Sequence, residues 1–122
     1  MIRITVMVDR SAAARVAHLP AVLQRLGGQA RRLLVAALSV YPPPRGTYVR
    51  TYRLRRGWQQ APTRIDAEGV AFTNPVPYAS FVQGDRQAWM HVGRWEPARV
   101  IVERHAAALQ ALYEQGLREE LT

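Results

Sequence analysis

Three histidines, His18, His91 and His105, supply the only imidazoles available for general acid–base work or metal ligation. Their spacing matches no metal-ligand pattern, with no HExxH pair and no histidine–carboxylate cluster. His105 falls near the apolar stripe of a C-terminal helical pattern, where a packed or hydrogen-bonded imidazole is expected. His18 precedes a helix break and reads as a surface residue. His91 lies between Met90 and Val92 in an aromatic stretch, without a second group that would make it a catalyst. Asp66 and Glu68 resemble a carboxylate pair, but they occupy a predicted turn, where acids serve as turn residues. Nucleophile elbow, glycine-rich phosphate loop and P-loop signatures are all missing from the sequence. The expectation is a protein that is not an enzyme and needs neither cofactor nor metal.

The segment that remains is "YPPPRGTYVRTYRLRRGWQQ", residues 41–60. It holds three consecutive prolines, five arginines, three tyrosines and a tryptophan, and no acid. Arginine beside large aromatics suits two tasks. It stacks on bases and binds phosphates, and it dominates protein–protein hot spots. Prolines stiffen a chain toward polyproline II, which reaches far and loses little entropy on docking. A stiff basic arm therefore favours a neighbouring protein over chemistry.

Charge sharpens this reading. The net charge is +8, and all 17 basic residues are arginine. Arg10 through Ile65 carries eleven arginines and no acid, whereas Asp66 onward carries five arginines and eight acids. One half is basic and the other mildly acidic. Such a split fits nucleic acid or copies packing head-to-tail, basic face on acidic face. With 48% hydrophobic residues in 122, one domain with a modest core is expected. Cysteine is absent, so disulfides and thiolate metal sites are excluded. No signal-peptide pattern or membrane span is read from the chain, and a cytosolic product is expected.

The elements that would carry these residues follow from periodicity. "IRITVMV" alternates, with Ile2, Ile4, Val6 and Val8 on one side, and predicts a half-buried strand. Asp9 or Ser11 offers an N-cap to an alanine-rich stretch, and Pro20 suits the first turn of a longer helix. In that helix Leu23, Leu26, Ala30, Leu33, Leu34, Ala37 and Leu38 make an apolar stripe, with a bend or break expected at Gly27–Gly28. "TRIDAEGVAFTN" predicts a hairpin turning near Ala67–Glu68–Gly69, with Val70 and Phe72 on one face. One helical turn precedes Gly84. Residues 85–95 are irregular and aromatic, and Pro97 opens a closing helix to about Glu119. The expected fold class is α+β: a small antiparallel β-sheet packed against a long N-terminal helix and a C-terminal helix, with an extended Pro/Arg-rich loop over about 41–60.

Two passages carry a family resemblance. "RTYRLRRGW", residues 50–58, and "NPVPYASFVQG", residues 74–84, resemble the small neck and tail-component proteins of tailed bacteriophages and prophages. These are head–tail joining, tail-completion or minor tail proteins. Their pattern resembles an N-terminal helix, a proline-containing loop, an "RTG-L-R-W"-like stretch, an "N-PYA--V--G" stretch and a closing helix. Tyr52 stands where a small residue such as glycine is more usual. The resemblance implies a structural virion protein, made in the host cytoplasm, whose copies form a hexameric ring at the head–tail junction or tail end. Partners would be adjacent neck, connector and tail-tube proteins, with genomic DNA passing through the channel without sequence-specific binding, and no membrane. The interface would use Pro43, Arg45, Tyr48, Arg50, Arg53, Arg55, Arg56 and Trp58, with Trp89 and Trp95 as further anchors or, equally, as core caps. Tyr78, Phe81 and Val82 would pack against the sheet, and Asn74 would hold the turn before Pro75.

A rival resemblance comes from "YRLRRGW", which is similar to the "YRLR-G" strand of small basic ribonuclease toxins. In those proteins the strand runs on into a hydrophobic strand. Here it continues as "QQAPTRID", polar and broken by proline. A generic nucleic-acid-binding domain is the third alternative.

Overall fold

Alternation settles the first element. Ile4 is buried, Ile2 and Val6 pack against the core, and Arg3, Thr5 and Met7 face outward, giving strand β1 (Ile2–Met7). The computed structural model describes residues 1–7, 19–42, 52–66 and 69–120, so Val8, Asp9 and Ser11 lie outside the described residues. The predicted hairpin forms from β2 (Thr63–Asp66) and β3 (Gly69–Asn74); its turn residues Ala67 and Glu68 are not described. β3 is the middle strand of an antiparallel sheet ordered β1-β3-β2, with Ile4 opposite Phe72 and Ile65 opposite Val70. The register puts Ile4, Val70 and Phe72 on the face that the helices cover.

Helix α1 (Leu19–Leu38) buries Val22, Leu23, Leu26, Ala30, Leu34 and Leu38, the stripe that a 3.6-residue period demands. Pro20 lies in its first turn, where its missing N–H costs nothing. The expected break at Gly27–Gly28 does not occur. Gly27 instead seats the Ile65 side chain, which a Cβ at that position would strike. The close approach of β2 offsets the glycine's weak helix propensity of about 1 kcal/mol.

The 41–60 segment differs most from expectation. Its second part folds back as helix α2 (Arg53–Gln59), with Leu54, Gly57 and Trp58 buried. Three- and four-residue spacing of those positions makes one apolar face over two turns. A helix this short has little stability of its own, so the burial of Trp58 holds it. α3 (Ala79–Val82) is the single turn expected before Gly84. The closing helix is split. α4 (Ala98–Arg104) starts after an extended Pro97, and α5 (Ala106–Glu120) resumes beyond His105. At the split His105 Nδ1 lies 2.8 Å from the Ile101 carbonyl, and the His105 N–H turns to Val102 instead. A carbonyl only accepts, so Nδ1 carries the proton and His105 is a hydrogen-bonded structural residue. In α5 Leu109, Tyr113 and Leu117 are buried, whereas Ala108 is exposed.

The result is an α+β fold, with a three-stranded antiparallel sheet, the long helix α1 and the C-terminal helix α5. α1 also sets a long axis. At its seventh residue Arg25 pairs with Glu120 at the end of α5; at its finish the Leu38 and Ser39 carbonyls accept from Gln83 and Arg55. The fourteen residues from Arg25 to Ser39, at about 1.5 Å each, set these two attachment points roughly 20 Å apart along α1. Among the described residues, no helix is long and apolar enough to cross a membrane.

Candidate subunit interface

The two passages that carry the resemblance meet in space. Trp58 is 0% exposed, and its Nε1–H donates to Gln83 Oε1 at 2.8 Å. Gln83 Nε2 in turn donates to the Leu38 carbonyl at 3.0 Å. Asn74 Oδ1 accepts from the Val76 N–H at 3.1 Å, holding the turn around Pro75 as expected, while Asn74 Nδ2 donates to the Leu54 carbonyl at 3.1 Å. Gly57 lies directly on Asn74, and a Cβ there would collide with the Asn74 amide and stand 2.7 Å from Val76. Buried amides cost several kcal/mol unless bonded, and these two satisfy one another's surroundings through α2. "RLRRGW" and "NPVPYASFVQG" therefore form one joint.

A second knot lies at the root of the proline segment. Tyr41 and Tyr52 stack with centroids 5.3 Å apart, and the Arg55 guanidinium lies 4.7 Å from each ring centroid. Arg55 Nε donates to the Ser39 carbonyl, and its backbone N–H donates to Tyr41 Oη. The chain leaving at Tyr41 therefore returns at Tyr52 beside its point of departure. Tyr52 itself has φ 57 and ψ 23, a left-handed conformation that favours glycine. That geometry gives a reason for the small residue more usual there in the resembling pattern. In this chain ring stacking and the cation–π contact offset the backbone cost of about 1 kcal/mol.

The predicted interface residues separate into three groups. Pro43, Arg45, Tyr48 and Arg50 lie outside the described residues. Trp58 and Trp95 are buried, so in this fold neither offers a surface to a partner: Trp58 fills the main core, and Trp95 packs with Leu54, Val76, Ala79 and Val82. Arg55 is committed to the Tyr41–Tyr52 knot and positions the loop root. Arg53, Arg56 and Trp89 remain exposed, Trp89 at 85%. Tyr78 and Phe81, expected on the sheet, also face outward, while Val82 is buried. Arg53 stands 5.8 Å over the Tyr78 ring. The Ala88 N–H donates to the Phe81 carbonyl at 2.8 Å, which brings the exposed Phe81 to the start of the segment that carries Trp89. Met90 and Val92 extend the same exposed apolar stretch.

His91 touches this region from beneath. Its ring meets Trp95 edge-on at 6.5 Å, and its Nδ1 is buried with no hydrogen-bond partner among the described residues. Burial, and secondarily Arg94, hold its pKa below the ordinary histidine value, so the imidazole is neutral at pH 7. Among the described residues, no three His, Asp or Glu side chains converge where a metal ion would be held.

These roles separate by stability. Arg55→Ala removes two ring contacts and the side-chain hydrogen bond to the Ser39 carbonyl, while its backbone N–H still donates to Tyr41 Oη, and is expected to lower stability by about 1–2 kcal/mol. Arg53→Ala and Arg56→Ala are expected to stay within about 0.5 kcal/mol of wild type. Urea titration of the three variants reads the difference, and equal midpoints would remove the knot as a structural device.

Comparison with known protein families, curated proteins and solved structures returned no match to this chain.

Proposed function

We propose that this protein is a structural virion component of the bacteriophage neck or tail-completion type. Copies assemble into a ring at the head–tail junction or tail end, through which the genome passes. The observation that carries the reading is the joint between α2 and the 74–84 segment. The two passages that resemble those proteins are tied by Trp58–Gln83 and Asn74–Leu54, so they act as a single structural unit. Around that joint the chain presents Arg53, Arg56, Tyr78, Phe81 and Trp89 to the outside, residue types that dominate protein–protein hot spots. Trp89, Met90 and Val92 are all exposed within four residues, and such an apolar stretch suits a subunit contact.

Mass photometry and negative-stain imaging test this with the purified full chain, alone and mixed with the products of its flanking genes. Closed rings with a central opening are expected. A chain that stays monomeric at all concentrations and with those partners overturns the reading.

A further inference from the structure

Independently of the ring reading, we infer that β1 is a self-pairing edge. Two copies join β1 to β1 antiparallel across a two-fold axis at Thr5, so that their three-stranded sheets become one. β1 is an outer strand, and its backbone ladder runs to β3 alone among the described residues. In an antiparallel pair every second residue turns both its N–H and its C=O away from the partner, so β1 presents donors and acceptors along its outer edge. The other edge of the sheet is less open. β2 has four residues, its Ile65 carbonyl accepts from Gln24 of α1, and Arg64 and Asp66 charge it. β1 has six residues, no proline, an unbroken register with β3 and one charge, Arg3, near its end. Beyond that arginine it carries none of the devices that keep an edge from pairing.

The flank of β1 selects a second copy as the occupant. Two hollows lie along its outer side. One runs between Thr5–Met7 and Val102, Ala106 and Leu109, the other between Ile2–Thr5 and Ala98, Val102 and Glu103. Thr5 and Val102 border both, so they mark the midpoint of the edge. The Ile2–Thr5 hollow carries Arg3, Asp85, Arg99 and Glu103. The Thr5–Met7 hollow has no charged member among the described residues. Its polar members include Gln110 and Tyr113, and the Tyr113 hydroxyl is buried with no hydrogen-bond partner among the described residues. A two-fold axis through Thr5 sets Arg3 opposite Met7 of the other copy and Ile4 opposite Val6, and lays each charged hollow on an uncharged one. No like charges meet at that seam, whereas an axis through Arg3 would set arginine on arginine. Ile4 lies in the main core and Val6 and Val102 pack against it, so the pairing continues the apolar layer from one copy into the next.

Because the sequence has no cysteine, single cysteines in the full chain report the register. Side chains directly opposed in an antiparallel pair have Cβ atoms about 4.5–5.5 Å apart, within reach of a disulfide after a small adjustment. Under mild oxidation Thr5→Cys is expected to cross-link into dimers about tenfold or more faster than Arg3→Cys or Met7→Cys alone. Mixing Arg3→Cys with Met7→Cys is expected to restore fast cross-linking, because the register centred on Thr5 sets those two positions opposite each other. By sedimentation equilibrium, Thr5→Arg is expected to weaken dimerisation by about tenfold or more, and an equal mixture of Thr5→Arg and Thr5→Glu to recover it. Arg3, Thr5 and Met7 are exposed, and circular dichroism confirms that each variant is folded. Thr5→Cys that cross-links no faster than the other two, or Thr5→Arg that associates like the wild type, overturns this contact while leaving the ring reading standing. A wild type that forms these dimers but never closes into rings keeps the contact and removes the ring reading. Protection of Thr5→Cys from oxidation only when the products of the flanking genes are added would assign the edge to a strand of another protein and overturn self-pairing.

Discussion

Trp58→Ala is expected to cost about 3–5 kcal/mol for the lost indole and its cavity. A further 1–3 kcal/mol is expected where Gln83 Oε1 loses its donor. A domain of this kind has only about 5–15 kcal/mol in total, so the variant should be partly or wholly unfolded at 37 °C. Trp58→Phe keeps most of the apolar contact with Phe72, whose ring meets the indole edge-on at 5.9 Å, but loses the N–H. It is expected to fall between the two, about 1–3 kcal/mol below wild type. Chemical denaturation of both variants checks the order. If Trp58→Ala were no less stable than the wild type, the indole would have to lie on the surface, where it would again be a candidate contact for another subunit.

That prediction also marks where sequence reasoning reached its limit. β1 was legible because one face is buried and one wet, so its alternation records the fold directly. The stripe of α1 was legible for the same reason. α2 was hidden: four of its seven residues are arginine or glutamine, prolines precede it, and Tyr52 enters it from a conformation that non-glycine residues avoid. Its one signal was the spacing Leu54–Gly57–Trp58, which is helical in period but too short to outweigh a reading as an arm. The tryptophans were ambiguous for a related reason, since an indole serves a core or an interface equally well. Only tertiary neighbours separate Trp58 and Trp95, which are buried, from Trp89, which is not. Gly27 misled in the other direction: a glycine pair is a weak point in an isolated helix, whereas a strand packed against it turns the missing side chain into a seat.

Asn74 gives the sharpest separation between packing and hydrogen bonding at the joint. Its side chain is 0% exposed, accepts from the Val76 N–H and donates to the Leu54 carbonyl. Asn74→Asp changes almost no volume. An ionised aspartate keeps the Val76 bond but turns a second acceptor toward the Leu54 carbonyl, in a site where, among the described residues, Asn74 bonds to the Leu54 carbonyl and the Val76 N–H and to no cation. Removing one partner of a buried bond costs about 1–3 kcal/mol, more when a charge is left behind. The expected loss for Asn74→Asp at pH 7 is therefore about 3 kcal/mol or more, shrinking as the pH falls and the carboxyl protonates into a donor. The sign follows from linkage: burial raises the folded-state pKa of the introduced acid above its unfolded value, so the unfolded state releases its proton first and destabilisation grows as pH rises. Asn74→Ala leaves the Leu54 carbonyl and Val76 N–H both unpaired, costs about 2–4 kcal/mol, and has no such pH dependence at this position. Thermal melts of both variants from pH 4 to pH 8 distinguish the cases. Parallel pH profiles would mean that the Asn74 site is open to water, and the joint between α2 and the 74–84 segment would then not be the buried lock on which the proposed function rests.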